Sequence, residues 1–380
     1  MIKKATLFVI ALCTLYYGHA QEIIRQELKL PREILGLQVL KCDFHLHTVF
    51  SDGSVWPSVR VMEALSEGLD AISITDHVEY RPHMDRTLSE NNLSRNIAYT
   101  EALKEAKTLG ILLIPGVEIT KDVPPGHFNA LFIQDADAFG KYIGKENRND
   151  PRLIRSSLKE ARRQGAFIHW NHPWYKVKGN VSTWFPVIDS LYNEQLIDGI
   201  EVINATKYDP VILGWAQDKQ LTNLGNTDYH APSYLKNGQF RTMTIVFAKE
   251  RSAEAIKDAL FGRQTVSYCD NHLYGDKKYL EEIFQNSVEV KVASDSVKNG
   301  VLILQNTSSV TYKIKFIQDG ELKFNTYTGG ITLPALGDSA VKVSSAPGFT
   351  RKKRYPVKVV VENLEVAPGT PLETTLTLQF

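Results

Sequence analysis

From Lys41 to about Asn271 the chain alternates short apolar runs with longer amphipathic stretches. The short runs predict strands, and the stretches with apolar residues three and four apart predict helices. Predicted strands cover 41–48, 70–75, 111–117, 128–133, 166–169, 199–203, 221–226, 242–247 and 265–268. Predicted helices cover 59–67, 96–109, 153–164 and 253–261. Strands that alternate with helices are typical of a parallel sheet, and this many units indicates an α/β fold of the (β/α) barrel type.

The pattern changes after about residue 280. Segments such as Val288–Val292 and Tyr312–Phe316 alternate apolar and polar residues with a period of two, and turns rich in Gly or Pro separate them. This pattern predicts a C-terminal antiparallel β-sandwich, which we interpret as an accessory domain. We therefore expect a lead-in segment over 21–40, a barrel over 41–280 and the sandwich over 281–380.

Polar residues with metal-binding side chains fall at or just beyond the ends of the predicted strands. In a (β/α) barrel the active site lies at the C-terminal ends of the strands, whereas structural histidines have no reason to prefer that position. Five of the 10 histidines and two acidic residues follow this pattern, namely His45, His47, His77, Glu118, His172, Asp228 and His230, and we place His127 in the same cluster.

The strand at 41–48 carries the clearest metal-binding pattern. Its residues His45 and His47 are two apart and point to the same face, and Asp52 follows in the next loop. Imidazole and carboxylate groups together suit Zn²⁺, Mn²⁺ or Fe²⁺. Taken alone, His-x-His describes a packed buried pair equally well. The grouping of histidines at strand ends favours metal ligands.

An ordered set of five short motifs resembles the polymerase and histidinol phosphatase (PHP) family. The resemblance spans roughly residues 41 to 271 and implies a distorted (β/α)7 TIM-like barrel that holds two or three metal ions. Its motifs are His45-Leu46-His47-Thr48 with Ser51-Asp52-Gly53, Thr75-Asp76-His77, Gly116-Val117-Glu118, His172-Pro173 and Asp228-Tyr229-His230.

The resemblance also implies a ligand set. One ion would be held by His45, His47, Glu118 and Asp228. A second would share Glu118 and add His127 and His172, and a third would be held by Asp52, His77 and His230. Asp52 stands where some family members carry His, and His169 competes with His127 and His172 for a place in the second site.

Two ions a few ångströms apart (~3.5–4 Å) would convert a shared water into a bridging hydroxide that attacks a phosphate ester. We therefore expect a metal-dependent phosphoesterase with Asp228, Glu118 and His172 as catalytic residues, acting on a small phosphorylated substrate. Candidates for binding its anionic end are Arg81, Lys176 and Arg263. Amide or lactone hydrolysis by a similar cluster, or a surface protein that binds a glycan or partner and uses the barrel as scaffold, remain alternatives.

Composition and the N-terminus add limits on location and partners. The 380 residues carry a formal charge of +1, which gives no support for nucleic-acid binding. Lys3 and Lys4, an apolar run from Ala5 to Tyr17 and the small residues before Gln21 predict a secretory signal peptide over 1–20, cleaved after Ala20. The mature protein would be periplasmic or secreted, without a membrane span or lipid anchor, and its oligomeric state stays open.

The two remaining cysteines, Cys42 and Cys269, are predicted to be buried thiols.

Overall fold

The computed structural model describes residues 25–84, 94–143, 150–294, 300–318, 322–326, 329–345 and 354–379. The predicted signal peptide over 1–20 and the start of the lead-in segment lie outside these residues. Within the described ranges, each helix is too short or too polar to cross a membrane.

The strands follow the predicted runs closely in the first two thirds of the chain. They are β1 (Glu33–Ile34), β2 (Leu37–Leu46), β3 (Ala71–Ile74), β4 (Leu112–Ile119), β5 (Phe128–Leu131), β6 (Phe167–Trp170), β7 (Gly199–Asn204), β8 (Lys207–Tyr208), β9 (Thr222–Asn226), β10 (Met243–Ala248), β11 (Thr265–Cys269), β12 (His272–Gly275), β13 (Val288–Ser294), β14 (Gly300–Asn306), β15 (Tyr312–Phe316), β16 (Leu322–Asn325), β17 (Gly330–Leu333), β18 (Asp338–Ser345), β19 (Arg354–Ala367) and β20 (Thr370–Gln379).

The α-helices include the four that the sequence predicted and three that it did not. They are α1 (Pro57–Ser66), α2 (Ile97–Leu109), α3 (Pro151–Arg163), α4 (Pro186–Asn193), α5 (Pro210–Asp218), α6 (Ala253–Phe261) and α7 (Lys277–Ser287). Two 3₁₀ helices cover Ala136–Tyr142 and Lys178–Asn180. Proline stands in the first turn of α1, α3, α4 and α5, where the missing N–H costs no helical hydrogen bond.

The sheet is parallel in two blocks and antiparallel at the strands that interrupt them. Strands β2, β3 and β4 are parallel, as are β6, β7 and β9. The prediction of a parallel sheet is wrong at β5, which runs antiparallel to β4 and β6, and at β10, which runs antiparallel to β2. No helix separates β4 from β5 or β9 from β10. Because β5 neighbours β4 without a crossover helix between them, it turns back on β4. β10 pairs with β2 and β11 and not with its predecessor β9.

The closed TIM-like barrel is not confirmed, because the ladder of hydrogen bonds does not close. The gap lies between β9 and β2, which are linked by one parallel bridge between Leu46 and Tyr229. The His47 N–H donates to the Tyr229 carbonyl oxygen at 3.0 Å beside it. What the structure shows is a mixed α/β fold with one large sheet, curved so that the ends of β2 and β9 meet.

The C-terminal strands form two antiparallel layers. One is a separate four-stranded sheet in the order β13-β14-β18-β16. The other, β17-β15-β19 with β20, extends the large sheet, since β19 pairs with β12. The predicted division at residue 280 falls inside α7, whose buried Leu280, Ile283 and Phe284 belong to one apolar core shared with both layers. The division into two domains stays a prediction.

Both remaining cysteines are buried thiols, which confirms the prediction for them. Cys42 packs in an apolar cluster with Phe44 and Leu40 on β2, on the face opposite to the histidines. Burial raises the pKa of the Cys42 thiol well above its ordinary value, so it stays protonated and inert.

Candidate metal centre

The end of β2 delivers two histidines into the interior of the sheet. His45 and His47 are both fully buried. Their backbone is fixed from the other side by the segment after β9, where the Asp228 N–H donates to the His45 carbonyl oxygen at 2.9 Å. The open seam between β9 and β2 therefore brings the imidazoles of one strand against the carboxylate that follows the other.

Glu118, near the end of β4, is the carboxylate on which most of the imidazoles converge. It is 1% exposed, and both of its oxygens face ring nitrogens. Its Oε2 lies 2.8 Å from His77 Nδ1, 3.3 Å from His47 Nε2 and 3.5 Å from His45 Nε2. Its Oε1 lies 2.9 Å from His127 Nδ1 and 3.7 Å from His172 Nε2. One buried carboxylate thus touches five imidazoles from four separate segments of the chain.

Asp228 closes the cluster on the side of β9. Its Oδ1 lies 3.1 Å from both His45 Nε2 and His47 Nε2, and its Oδ2 lies 3.9 Å from His172 Nε2. Asp228 and His172 both have positive φ angles, 55° and 28°. Such backbone conformations are disfavoured for residues with a side chain, and they turn both groups towards the cluster just after their strands end.

Asp52 gathers a second set of imidazoles at the open side. Its carboxylate oxygens lie 3.2 Å from His230 Nε2, 3.4 Å from His77 Nε2 and 3.6 Å from His47 Nδ1. The His230 side chain is 40% exposed and that of Asp52 is 24% exposed, whereas His45 and His47 are inaccessible. The Asp52 group is therefore the part of the cluster that meets solvent.

The structure brings all nine predicted metal ligands together. Their donor atoms fall into four groups within which every pair lies within 4.8 Å, namely His47/Asp52/His77/His230, His45/His47/Asp228, His45/Glu118/His172 and His77/Glu118/His127. His127 had the least distinct signal, because it precedes a strand instead of following one. Since β5 runs antiparallel to β4, its start lies beside the end of β4, next to Glu118.

His169, the competitor for the second site, lies outside these groups. It is fully buried, and neither ring nitrogen has a hydrogen-bond partner in the described part of the chain. Burial lowers the pKa of His169 to about 3, so its imidazole is neutral.

The donor set fits divalent cations. Burial disfavours charge on the imidazoles, but the carboxylates around them outweigh it and raise the pKa of His45 and of His77. In turn the imidazoles hold the pKa of Glu118 well below its ordinary value. Three buried atoms, His45 Nε2, His47 Nε2 and Glu118 Oε2, have no hydrogen-bond partner among the described residues. Buried polar atoms rarely stay unpartnered, and a cation shared by these atoms would satisfy all three.

A comparison with known protein families identifies the family that carries this cluster. The PHP domain profile matches residues 43–317. The chain belongs to the PHP domain family. This confirms the resemblance seen in the five sequence motifs, and the matched range contains every residue of the cluster.

Two individual proteins are similar to this PHP chain. A two-domain protein of Bacteroides vulgatus, described as containing a predicted PHP-like metal-dependent phosphoesterase, is 37% identical, with a TM-score of 0.84 over 95% of this chain and 100% of that one. An uncharacterized protein of Methanocaldococcus jannaschii is 35% identical over 86 residues, which span 23% of this chain and 36% of that relative.

Glu201 on β7 is a buried carboxylate of the PHP centre that the sequence analysis missed. It lies 2.7 Å from His45 Nδ1 and accepts hydrogen bonds from the His172 backbone N–H at 2.9 Å and from Asn226 Nδ2 at 3.0 Å. A carboxylate behind a histidine fixes the ring and the position of its proton, leaving Nε2 free to face a metal. The sequence signal for Glu201 is its position as a lone acidic residue inside the apolar run 199–203.

Amide side chains complete the support around the two central carboxylates. Asn171 Nδ2 donates to Glu118 Oε1 at 2.9 Å and to Asn129 Oδ1 at 2.8 Å, and Asn204 Nδ2 lies 3.4 Å from Asp228 Oδ2. Because amides carry no charge, they fix the carboxylates without competing with a cation. Their residue type gives no distinct sequence signal, so only the fold reveals them.

A buried ion pair holds β2 to the segment that carries Asp228. Arg241 is 1% exposed, and its Nη2 lies 2.8 Å from Asp43 Oδ2, while its Nη1 lies 3.0 Å from Glu67 Oε2. Asp43 in turn accepts a hydrogen bond from Thr227 Oγ1 at 2.5 Å. Asp43 shares its strand face with His45 and His47, and its contacts tie that face to the residue before Asp228.

The three predicted substrate-binding cations occupy different places. Lys176 lies over the Tyr175 ring at 5.0 Å, and that ring is 5.0 Å from the His172 ring, so Lys176 is at the edge of the cluster. Arg81 Nε donates to the Phe50 carbonyl oxygen at 3.2 Å in the loop after β2.

The prediction that Arg263 binds the substrate is corrected by the structure. Its Nη1 is 3.4 Å from the Gln220 carbonyl oxygen, at the start of β9, whereas Asp228 follows the end of that strand. Arg263 therefore lies at the opposite end of the sheet from the cluster. From the sequence alone, a basic residue in a turn such as Arg263 could lie at either end of the sheet.

Proposed function

We propose that this protein is a metal-dependent phosphoric ester hydrolase whose nine clustered side chains hold two or three divalent ions, Zn²⁺, Mn²⁺ or Fe²⁺. The observation that carries the proposal is the buried Glu118, with five imidazoles around one carboxylate and unpartnered donor atoms that face each other. Membership of the PHP family and similarity to the Bacteroides vulgatus protein support the same reaction class.

The family resemblance implies how the ligands divide. His45, His47, Glu118 and Asp228 would hold the deepest ion, Glu118 would be shared with a second ion held by His127 and His172, and Asp52, His77 and His230 would hold a third on the open side. The distances group the donor atoms in part differently, because they place His172 with His45 and Glu118, and His127 with His77 and Glu118. Glu118 touches His77 as well, so it links the deep and the open positions.

Divalent ions at such a site lower the pKa of a bound water and neutralise the oxygens of a phosphoryl group. The protein's own groups supply positioning and charge around that chemistry. Ion pairing with His45 and His47 outweighs the burial of Asp228 and lowers its pKa, so the carboxylate is ionised at neutral pH. His172 lies at the edge of the cluster against Tyr175, on the side from which a substrate would approach.

The substrate is proposed to be a small phosphorylated molecule that enters beside Tyr175 and Lys176. Tyr175 is 37% exposed and also contacts the His127 ring at 5.6 Å, so one side of its ring forms the entrance and the other closes the cluster. An aromatic wall next to cations suits an organic phosphate more than free phosphate. The predicted signal peptide would place the reaction outside the cytoplasm.

The test is phosphate release from a panel of monoesters and diesters by full-length protein, stripped with chelator and reloaded with Zn²⁺, Mn²⁺ or Fe²⁺. We expect turnover with at least one metal and none after stripping. If reloaded protein of verified metal content releases no phosphate from any ester, the proposal fails. Hydrolysis of amides or lactones with all phosphate esters inert would assign the cluster to that other hydrolase class. Glycan binding that survives replacement of His45 and His47 would favour the binding-protein alternative.

A further inference from the structure

The hairpin of β7 and β8 carries a lysine that faces the cluster. Asn204 and Lys207 are directly opposite each other in this antiparallel pair. Opposed residues project from the same face of a hairpin. Asn204 uses that face to reach Asp228 Oδ2 at 3.4 Å and Glu201 Oε2 at 3.0 Å. The longer side chain of Lys207 therefore leaves the hairpin on the side of the metal ligands.

A second, independent contact places the Lys207 ammonium at the entrance. Its Nζ lies 4.0 Å from the centroid of the Trp174 ring, and that ring is 6.3 Å from the His172 ring. A single indole thus separates the ammonium from a metal ligand. The Nζ donates one hydrogen bond, to the Asn180 carbonyl oxygen at 3.1 Å. Throughout the described ranges, no carboxylate lies within the 4.0 Å of an ion pair from it.

We propose that Lys207 is a specificity-determining residue that binds a second anionic group on the substrate. This inference rests on the proposed function and narrows its substrate class to phosphate esters that also carry a carboxylate, sulfate or further phosphate. An ammonium has three N–H donors, and here one of them is used by Asn180. The remaining donors can reach an anion. The Trp174 ring between Lys207 and His172, with the Tyr175 ring 6.3 Å from it, offers an apolar surface for the carbon skeleton that joins the two charged groups.

The C-terminal strands position this lysine. Tyr208 follows Lys207 and, as the next residue of the strand, points to the opposite face. Its hydroxyl donates to Glu365 Oε1 on β19 at 2.5 Å, and its ring stacks on Tyr274 at 4.0 Å. One face of the two-residue strand β8 is thus fixed to the accessory strands, and the other presents Lys207 to the substrate.

The test compares two matched probes on metal-loaded full-length protein, 4-carboxyphenyl phosphate and 4-carbamoylphenyl phosphate, in which an uncharged amide replaces the carboxylate. The ratio of their kcat/KM values should favour the carboxylate, and Lys207→Gln should lower that ratio about tenfold, as expected for one charge-assisted hydrogen bond. Lys207→Arg should keep the preference. Lys219→Gln is the control, because Lys219 lies over Trp184 at 5.2 Å and pairs with Asp189, away from the cluster.

Binding of the two corresponding benzylphosphonates, measured by calorimetry, gives a readout that does not depend on turnover. The carboxylate form should bind more tightly to the wild type, and Lys207→Gln should abolish the difference. Equal losses for both probes in Lys207→Gln would show that the lysine only supports Trp174, and would overturn the inference while leaving the hydrolase proposal standing. Absent phosphate release with a preserved binding preference would overturn the hydrolase proposal alone.

Discussion

At the scale of single residues, the site depends on carboxylates that are shared between imidazoles. Glu118 and Asp228 each contact histidines assigned to all three proposed metal positions, and Asp52 contacts His47 as well as His77 and His230. The family resemblance implied that Glu118 is shared between two ions, whereas the sequence pattern alone shows Glu118 as one acidic residue after a strand. Its place at the centre follows from the antiparallel β5, which brings His127 alongside.

Glu118→Gln keeps the shape of the side chain and removes its charge. We expect loss of at least one bound ion per chain and a fall in phosphate release of more than about 100-fold, because the shared ligand is neutral in the variant. Metal analysis and the ester panel measure both effects. Glu289→Gln, at an exposed residue of β13 paired with Lys291, should change neither. Full metal content and activity in Glu118→Gln would contradict the assignment.

Glu201→Gln tests whether the carboxylate that faces His45 Nδ1 contributes to metal affinity. The amide can still accept from the His172 N–H but no longer offers a charge to His45 Nδ1, so metal affinity should fall roughly 10–100-fold while the fold stays intact. Competition with a chelator of known affinity measures this. Unchanged affinity would mean that the proton of His45 is fixed by other groups.

The histidines predict different pH responses for metal-free and metal-loaded protein. Carboxylates raise the folded-state pKa of His45 and His77 above the ordinary 6.5. Their protonated forms therefore stabilise the metal-free fold fully below about pH 6.5, and that contribution is lost as the pH rises through the raised values. The melting temperature of chelated protein should fall as the pH rises above about 6.5 through the raised pKa values, and that of loaded protein should not, because metal binding requires neutral imidazole. A melting temperature of chelated protein that rises with pH over this range would contradict the account.

At the scale of elements, strand positions could be predicted from the sequence and strand directions could not. Apolar runs located β2 to β7 and β9 to β11 closely, because buried strands need little beyond continuous hydrophobicity. Direction depends on what connects two strands, and the turn with Pro124 and Pro125 gives no pattern that distinguishes a return from a crossover. The sequence pattern missed three helices. Helices α4 and α5 are short, and α7, whose apolar stripe includes Leu280, Ile283 and Phe284, lies where the pattern was taken to change to C-terminal strands.

Close packing of β3 against β4 supplies an element-scale prediction. Gly116 lies two residues before Glu118, and a Cβ there would come too close to Ser73 Oγ and lie 3.0 Å from Thr75 Cγ2. Gly116→Ala should therefore destabilise the fold by about 1–3 kcal/mol and disturb Glu118. Gly214→Ala, inside α5 with its nearest contact at 3.4 Å, should be neutral or stabilise by about 0.5–1 kcal/mol. Urea denaturation of both variants measures this, and equal effects would contradict the packing argument.

At the scale of the whole molecule, the accessory strands and the metal-binding half share one core. The cluster that contains Leu46 and Ile74 continues through Phe284 on α7 to Leu304 and Val359 in the two C-terminal layers. The sequence pattern changes near residue 280 and therefore suggested two units. The pattern could not show that α7 spans the junction, because which residues α7 contacts on each side follows only from the fold.

Truncation of the chain after residue 280 should therefore give insoluble or unfolded protein. It removes the buried Ile283 and Phe284 and uncovers the apolar surface beneath them, at about 2–5 kcal/mol for each large side chain lost. Full-length protein should unfold in one cooperative transition by calorimetry. A soluble fragment with native metal content, or two separated transitions, would show that the halves are independent.

The central claim, that the nine side chains form a multinuclear hydrolytic centre, is tested most directly by one titration. Chelator-stripped full-length protein receives increasing metal, and bound equivalents and phosphate release from an ester that it hydrolyses are followed in the same samples. We predict that release begins only as more than one equivalent binds and levels off at two or three equivalents per chain. Saturation at a single equivalent, or two to three bound equivalents without any phosphate release, would contradict the claim.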